Sequence, residues 1–421
     1  MSDPVEEHAL TIRDARILTL GGARPRRGET MSELGIVERG DVHIRNGRIT
    51  GIFGSGEAPG GGNIIDARGR VLMPAFVDCH THACWSGDRL DEWDMKRRGA
   101  AYLDILKAGG GIMSTVRAVR EASQEMLTRD LIGKIERMQR EGTLCLEVKS
   151  GYGLSTEDEL KMLRAIRDAA EQTETPVMLT ACIGHAIDPD VPREKFVQSS
   201  IHETLNAVHE SFPDACVDAY CEEGAWTLEE CIALFSRAIE LGHRVRVHTD
   251  QFHSLGMVEW AIGHAAKSPS ESGVLSVDHL EASKPELLSR IAGSSLAAVL
   301  LPCSGFHTDD RYADGRALAD AGGIIALATN YNPGSSPTAS MPMAIAMAVR
   351  KCGLSAQEAI AAATVNGAWL LNQHDRGSIE VGKAADLILL RHTDERMLAY
   401  EFGGNPVDVV IRNGRVLHQR A

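Results

Sequence analysis

Short apolar segments alternate with longer amphipathic segments through the middle of the chain. Glu157–Ala170, Leu228–Leu241 and Met343–Lys351 carry apolar residues at i, i+3 and i+4, the spacing of helices packed on a core. The candidate strands are Val71–Val77, Thr143–Val148, Val177–Thr180, Ala215–Tyr220, Arg244–Val247, Val274–Val277, Ala297–Leu301 and Ile324–Ala328. Strands and helices in this alternation predict an α/β protein with a parallel (β/α)8 (TIM) barrel, and a doubly wound open sheet is the rival.

The two ends of the chain share another pattern. Residues 41–49 read DVHIRNGRI and residues 408–416 read DVVIRNGRV. Asn-Gly between alternating apolar positions predicts a two-residue hairpin, because a type I′ turn needs positive φ at both central residues. We therefore expect a small β-sandwich domain built from residues 1–71 and 376–421, beside a barrel domain of residues 72–375.

Composition narrows the class of protein. The chain has 421 residues, of which 43% are hydrophobic and 24% charged, and a formal net charge of −14. This charge gives no electrostatic support for binding nucleic acid or a membrane surface. The acidic N-terminal segment has no secretory pattern, and no stretch reaches the roughly 18 apolar residues of a membrane span. Nine cysteines without a C-x-x-C pair predict reduced thiols in a cytoplasmic protein.

Histidines follow several of the predicted strands, at the end of a barrel where catalytic residues gather. His80 and His82 follow the first strand, and alternation along an extended segment places them on the same side. His185, His248 and His279 follow the third, fifth and sixth strands. Several imidazoles at one mouth predict a metal site, since imidazole is a common ligand of divalent ions.

The chain also resembles a known family. PAFVDCHTH (74–82) followed by a histidine on the fifth strand is similar to the amidohydrolase superfamily. The closer resemblance is to its imidazolonepropionase family, which opens a five-membered ring during histidine breakdown. The segments that carry it are YLDILKAGGGIMSTV (102–116), EVKSGYGL (147–154), GHAI (184–187), VDHL (277–280), AVLLP (298–302) and NPGSSPT (332–338).

This resemblance implies a role for each matching residue. It implies a metal-dependent hydrolase in which one divalent ion activates a water, with zinc favoured by the imidazole ligands and manganese or iron as alternatives. His279, His185, Gln251 and Asn330 occupy the catalytic positions. The implied metal ligands are His80, His82, His248 and Asn330. The implied substrate-binding residues are Arg89, Tyr102, Tyr152, His185, Asn332, Gly334 and Ser335. Arg89 would grip a propionate, and Gly334 would let backbone amides approach it.

Two positions depart from the family pattern. The family has His-Ala-Asp-Glu where this chain has His248-Thr249-Asp250-Gln251, and it has Ala-Thr-Asp where this chain has Ala328-Thr329-Asn330. Both departures replace a carboxylate by an amide. An amide can offer a carbonyl oxygen to an ion or a ring, but it cannot act as a general base.

Several functions remain compatible with these amides. We favour a ring that is itself anionic, because a site with two fewer carboxylates is more electropositive. A desulfhydrase of ergothioneine breakdown would convert 3-(5-oxo-2-thioxoimidazolidin-4-yl)propionate to the hydantoin and sulfide by attack at C2. The alternatives are an imidazolonepropionase that works without these acids, an inactivated or mutated relative, and a non-catalytic ligand-binding barrel. The expected partners are a small anionic substrate and a second copy in a homodimer.

Overall fold

Two β-sheets organise the chain, in a computed structural model that describes residues 9–99 and 110–420. The strands, in chain order, are β1 Ala9–Leu18, β2 Ile36–Arg45, β3 Arg48–Gly54, β4 Asn63–Asp66, β5 Val71–Pro74, β6 Phe76–Asp78, β7 Thr143–Lys149, β8 Val177–Gly184, β9 Cys216–Cys221, β10 Arg244–Thr249, β11 Gly273–His279, β12 Ala297–Leu300, β13 Ile324–Leu327, β14 Leu387–Leu390, β15 Val407–Arg412 and β16 Arg415–Gln419. β6 to β13 form one sheet, and the other strands form the second.

The first sheet is the predicted barrel. Its strands β6 to β13 pair in sequential order, and all pairs are parallel. Thr81 bridges Tyr331 just beyond β6 and β13, and the His82 amide donates to the Tyr331 carbonyl at 3.1 Å. The Asn330 amide donates to the His80 carbonyl, also at 3.1 Å. The first and last strands therefore meet at the mouth, and the chain is a closed barrel rather than an open doubly wound sheet.

Helices connect the barrel strands, and their buried faces pack on one large core shared with the strands. The α-helices of the described residues are Leu90–Arg97, Ile112–Glu121, Gln124–Arg140, Thr156–Thr173, Arg193–Ser199, Leu205–Ser211, Leu228–Glu240, Met257–Gly263, Pro285–Ala292, Pro302–His307, Gly315–Asp320, Met341–Lys351, Ala356–Ala361, Gly367–Leu370 and Met397–Tyr400. None of the helices in the described ranges is long and apolar enough to cross a membrane.

The second sheet joins both ends of the chain. β14 lies between β5 and β15, so C-terminal strands complete a sheet begun by N-terminal ones. The two predicted hairpins are present: Asn46 and Gly47 have φ of 50° and 79°, and Asn413 and Gly414 have φ of 46° and 71°. The composite domain has its own apolar core, which includes Ile12.

One predicted strand is divided between the two sheets. The apolar run of residues 71–77 looks like a single strand, but Val71–Pro74 pairs with β1 and β14, whereas Phe76–Asp78 pairs with β7. The change of sheet occurs between two adjacent residues. The amide of Ala75 donates to the Asp386 carbonyl, whereas the amide of Phe76 donates to the Gly142 carbonyl. Both halves are buried, so hydrophobicity alone could not locate the change of partner.

Candidate metal centre and active site

Three histidines converge at the mouth of the barrel. His80 and His82 follow β6, where Thr81 points the other way, and His248 lies near the end of β10. All three are buried, and each has a nitrogen within 4.8 Å of the nitrogens of the other two. The Nε2 atoms of His82 and His248 are only 3.0 Å apart. The structure thus brings together three of the predicted metal ligands.

These imidazoles are held in the neutral form that binds metals. Burial, followed by the charge of Lys149, lowers the pKa of His80 well below its usual value. Burial and His185 lower the pKa of His82 in the same way. Burial also lowers the pKa of His248, against the opposing effect of Asp218. Each ring can therefore offer a lone pair to an ion.

Unsatisfied buried atoms show that the cluster fits a divalent ion. His80 Nε2 and Asn330 Oδ1 are buried and have no hydrogen-bond partner among the described residues. Leaving such atoms unpaired is unfavourable unless another group binds them. A tetrahedral ion accepts imidazole nitrogens and oxygens, so His80, His82 and His248 with Asn330 form a suitable donor set.

Two carboxylates orient the ligand histidines. Asp278 Oδ2 lies 2.6 Å from His80 Nδ1, and Asp218 Oδ1 lies 3.0 Å from His248 Nδ1. Because each Nδ1–H donates to a carboxylate, each Nε2 is left for the ion. Neither Asp218 nor Asp278 was predicted from the sequence to be a site residue. Asp278 is adjacent to His279, and a charged residue inside an apolar strand was the available signal.

His185 and His279 lie beside the three clustered histidines. The His185 ring stacks on His82 with centroids 4.5 Å apart, and its Nδ1 donates to the Gly151 carbonyl at 2.9 Å. Burial and the nearby His248 lower the pKa of His185 to about 3. His279 has a φ of 89°, and its Nδ1 lies 3.2 Å from Glu281. Positive φ in a non-glycine residue is a strained conformation that recurs at functional sites.

The two amides that depart from the family pattern occupy different environments. Asn330 is buried with a φ of 54°, a left-handed conformation that asparagine tolerates better than most residues. Gln251 lies just beyond β10, and its Oε1 accepts a hydrogen bond from the Tyr220 hydroxyl at 2.7 Å. With that oxygen engaged, the Gln251 side chain has its NH2 group left for a ligand.

The residues expected to hold a propionate are partly engaged with one another. Arg89 donates from Nε and Nη2 to Glu92 at 2.7 and 2.6 Å, so this edge of its fork is turned away from a ligand. Asn332 Oδ1 accepts from the amides of Gly334 and Ser335 at 2.8 Å each. The amides of Gly334 and Ser335 are thus engaged with Asn332 in this structure, and the assignment of these residues to the propionate stays a prediction.

Gly334 has a different structural reason to be glycine. A Cβ built on Gly334 would lie 2.1 Å from Nη1 of Arg89, which is far inside contact distance. The arginine thus occupies the space that a side chain would need. Tyr152 is buried, with its ring 6.0 Å from the His82 ring. Tyr102 lies outside the described residues.

A closed parallel barrel with a histidine cluster at the C-terminal ends of its strands defines a metal-dependent hydrolase of the amidohydrolase type. The amidohydrolase family model matches residues 71–417. The imidazolonepropionase of Herpetosiphon aurantiacus is 40% identical over 417 residues, covering 96% of this chain and 95% of that protein. The imidazolonepropionase of Deinococcus radiodurans is 39% identical over 394 residues, covering 93% and 96%. The chain belongs to the imidazolonepropionase family of the amidohydrolase superfamily.

Solved structures agree with this fold. A 5-methylcytosine deaminase from Klebsiella pneumoniae, liganded with 5-fluorocytosine, superposes with a TM-score of 0.73 at 17% identity, covering 98% of both chains. An atrazine chlorohydrolase from Arthrobacter aurescens, complexed with zinc, has a TM-score of 0.69 at 17% identity, covering 97% of this chain and 95% of that one. At this identity the similarity concerns the fold alone.

Proposed function

We propose that this chain hydrolyses a small imidazolone-type ring that carries a propionate arm, with water as the nucleophile. The observation that carries the proposal is the convergence of three neutral imidazoles on one buried point. A divalent ion there, which we propose to be zinc, would supply Lewis acidity toward the water and the ring. We propose His80, His82 and His248 as its ligands, with Asn330 Oδ1 as an oxygen ligand.

Proton transfer is assigned to the two histidines beside the cluster. His185 donates from Nδ1 to a backbone carbonyl, so its Nε2 is the acceptor atom toward the pocket. His279 has Glu281 at its Nδ1, so a proton taken at Nε2 would be stabilised by that carboxylate. We propose that His279 takes over the proton transfer that Asn330 and Gln251 cannot perform, since neither amide accepts a proton.

The propionate arm is assigned to the neighbourhood of Arg89. Its Nη1 atom is not engaged with Glu92 and lies against Gly334, at the edge of the loop that follows β13. One charge-assisted hydrogen bond from Nη1 would hold a carboxylate at this edge. The aromatic face of Tyr152, near His82 and His185, would then pack on the ring.

Imidazolonepropionate is the ring that the relatives favour. Eight relatives that are 35–40% identical over at least 93% of this chain are named imidazolonepropionase. With this substrate water would add to the ring carbonyl carbon, and the bond from that carbon to the ring nitrogen would break to give N-formimino-L-glutamate. This reaction would proceed without the two carboxylates of the family pattern.

A thioxo ring is the second candidate, and one contact favours it. Because the Tyr220 hydroxyl occupies Gln251 Oε1, Gln251 offers N–H donors to the ring. Donors suit an acceptor such as a delocalised anion, which 3-(5-oxo-2-thioxoimidazolidin-4-yl)propionate forms on losing its ring proton. Here the reaction would release sulfide and leave the hydantoin. None of these eight relatives carries this activity in its name, so this candidate rests on the two amides.

One experiment separates the candidates. Purified, zinc-loaded protein is given each ring in turn, with formiminoglutamate and sulfide measured as products. The first candidate predicts fast formiminoglutamate formation, and the second predicts fast sulfide release. The double variant Q251E/N330D should raise the ratio of imidazolone to thioxo turnover if the amides select the ring. Absence of turnover of either ring by the zinc-loaded protein would refute the proposed reaction.

A further inference from the structure

Beneath the metal centre, a chain of charged side chains begins at His80. Its partner Asp278 also accepts a hydrogen bond from Nη2 of Arg246 at 2.7 Å. The same arginine donates from Nε to Ser276, and the Ser276 hydroxyl donates to the other oxygen of Asp278. Both charged residues are at most 1% exposed. The orientation of His80 therefore depends on Asp278 and, through it, on Arg246 and Ser276.

A second chain begins at His248. Its partner Asp218 accepts a hydrogen bond from the Lys149 ammonium at 2.7 Å. Both of these residues are fully buried. Burial would lower the pKa of Lys149, but Asp218 and Glu147 together raise it above its usual value, so the lysine stays charged. The charged ammonium of Lys149 is therefore an ion-pair partner of Asp218, and it helps to orient that carboxylate toward His248.

Glu147 connects the two chains. Its Oε1 lies 2.9 Å from Lys149 Nζ and 2.9 Å from Arg246 Nη1, and it also accepts a short hydrogen bond from the Thr180 hydroxyl. Glu147 is 1% exposed and has no direct contact with the ligand histidines among the contacts described. Within residues 9–99 and 110–420, it is the one carboxylate that contacts both Lys149 and Arg246, so it joins the supports of His80 and His248 into a single array.

This array replaces the usual filling of a barrel. Glu147 and Lys149 alternate on β7, Asp218 lies on β9, Arg246 on β10 and Asp278 on β11, all directed to the interior. Such interior layers are usually built from branched apolar side chains. Buried ion pairs seldom add stability compared with apolar residues of the same volume, so their presence directly under a metal centre indicates a role in that centre.

The charges of the array also favour a cation above it. It contains three carboxylates and two cations, so one negative charge is in excess beside three neutral imidazoles. Without the charge of Glu147 the array would be balanced. Each cation would still keep one carboxylate, Lys149 with Asp218 and Arg246 with Asp278. Removing the charge of Glu147 should therefore weaken ion binding more than it destabilises the fold.

We propose that Glu147 is a positioning residue of the metal centre, which couples the two histidine-orienting carboxylates and so sets the affinity for the ion. The inference concerns the ion site alone and is independent of which ring is hydrolysed. Groups that orient metal ligands change metal affinity about 10- to 100-fold when they are removed. We expect an effect of this size for Glu147, although it lies one layer further from the ion.

The test is the zinc affinity of Glu147→Gln, measured by competition with a chromogenic chelator on the full-length apoprotein. We expect a loss of about 10- to 100-fold. The visible spectrum of the cobalt-substituted protein should change as well, because the ligand geometry is altered. The control is Glu358→Gln, which removes a buried carboxylate paired with Arg316 at 3.0 Å on an outer helix. It should lower Tm without changing zinc affinity.

Wild-type zinc affinity and an unchanged cobalt spectrum in Glu147→Gln would overturn the proposal. The proposal would also be overturned if Glu358→Gln lost the same zinc affinity at the same loss of Tm, because the effect would then be purely structural. If Glu147→Gln does not fold, Thr180→Val removes only the hydroxyl that donates to Glu147 and keeps every charge. It should weaken zinc binding several-fold, and wild-type affinity there would also overturn the inference. Neither measurement uses turnover, so failure of the proposed reaction would leave the result readable.

Discussion

Replacing Gly334 by alanine should weaken recognition of the propionate arm. The added Cβ would lie 2.1 Å from Arg89 Nη1 and 2.8 Å from Cζ, so the guanidinium must move. Arg89 is held on its other side by two hydrogen bonds to Glu92, and only 14% of its side chain is exposed. The φ of Gly334 lies outside the left-handed region, so alanine brings no backbone strain and the effect is steric.

The size of the effect follows from the contact that is lost. A hydrogen bond to a charged group contributes about 1.5–3 kcal/mol. Displacing Nη1 from a substrate carboxylate should therefore lower kcat/KM about 10- to 150-fold, mainly through KM if the contact is equal in ground and transition states. The assay compares kcat and KM for the propionate-bearing ring and for the same ring without its arm. The arm-free ring should react at the wild-type rate.

The control for this prediction is Gly263→Ala. This glycine also lies outside the left-handed region, and a Cβ there would meet nothing within 4 Å. Its kinetics should match those of the wild type. An unchanged KM in Gly334→Ala for the propionate-bearing ring would refute the role of Arg89. An equal loss for both rings would show that the variant disturbs the metal centre and not the recognition of the arm.

Three further predictions follow from the same structure. Removal of the divalent ion by a chelator should abolish hydrolysis, and titration with zinc should restore it; turnover by metal-free protein would contradict the role of the three histidines. Asp278→Asn should lower zinc affinity about 10- to 100-fold, because the Nδ1–H of His80 loses its carboxylate; a chelator competition assay measures this. Burial lowers the pKa of Lys134 to about 8, so the folded state disfavours the charged form of this lysine. The resulting loss of stability is complete below pH 8, and it disappears as the pH rises toward 10.5, the pKa of the lysine in the unfolded chain. The stability of Lys134→Met relative to the wild type should therefore fall by about 3 kcal/mol between pH 7 and 10.5 in urea denaturation, and a constant difference would contradict it.

The barrel and the histidine cluster could be predicted because each has a local signal. The seven strands from β7 to β13 occur where apolar runs end in polar residues, and the pair His80 and His82 repeats with the period of a strand. The Asn-Gly hairpins also depend on adjacent residues only. The homodimer stays a prediction, as do the residue roles assigned from the resemblance.

The buried charged residues beneath the metal centre could not be predicted as a group from local sequence patterns. Glu147, Arg246 and Asp278 meet only because three different strands place them at one level of the barrel interior. Arg246 and His248 do alternate in RVRVHT, which directs both inward and could have indicated a buried ion pair. Which partner an inward charge finds depends on strand register, and register is a property of the whole sheet.

The contacts that join the first and last barrel strands also bear on when the site can first bind an ion during biosynthesis. The Thr329 hydroxyl donates to Asp78 at 2.5 Å across a separation of 251 residues, and the backbone amide of Asn330 donates to the His80 carbonyl. A nascent polypeptide that ends before residue 329 therefore holds His80, His82 and His248 but lacks the contacts that close the barrel beside them. Because contacts so distant in sequence form late in folding, we expect metallation to follow closure, so that C-terminally truncated fragments remain metal-free.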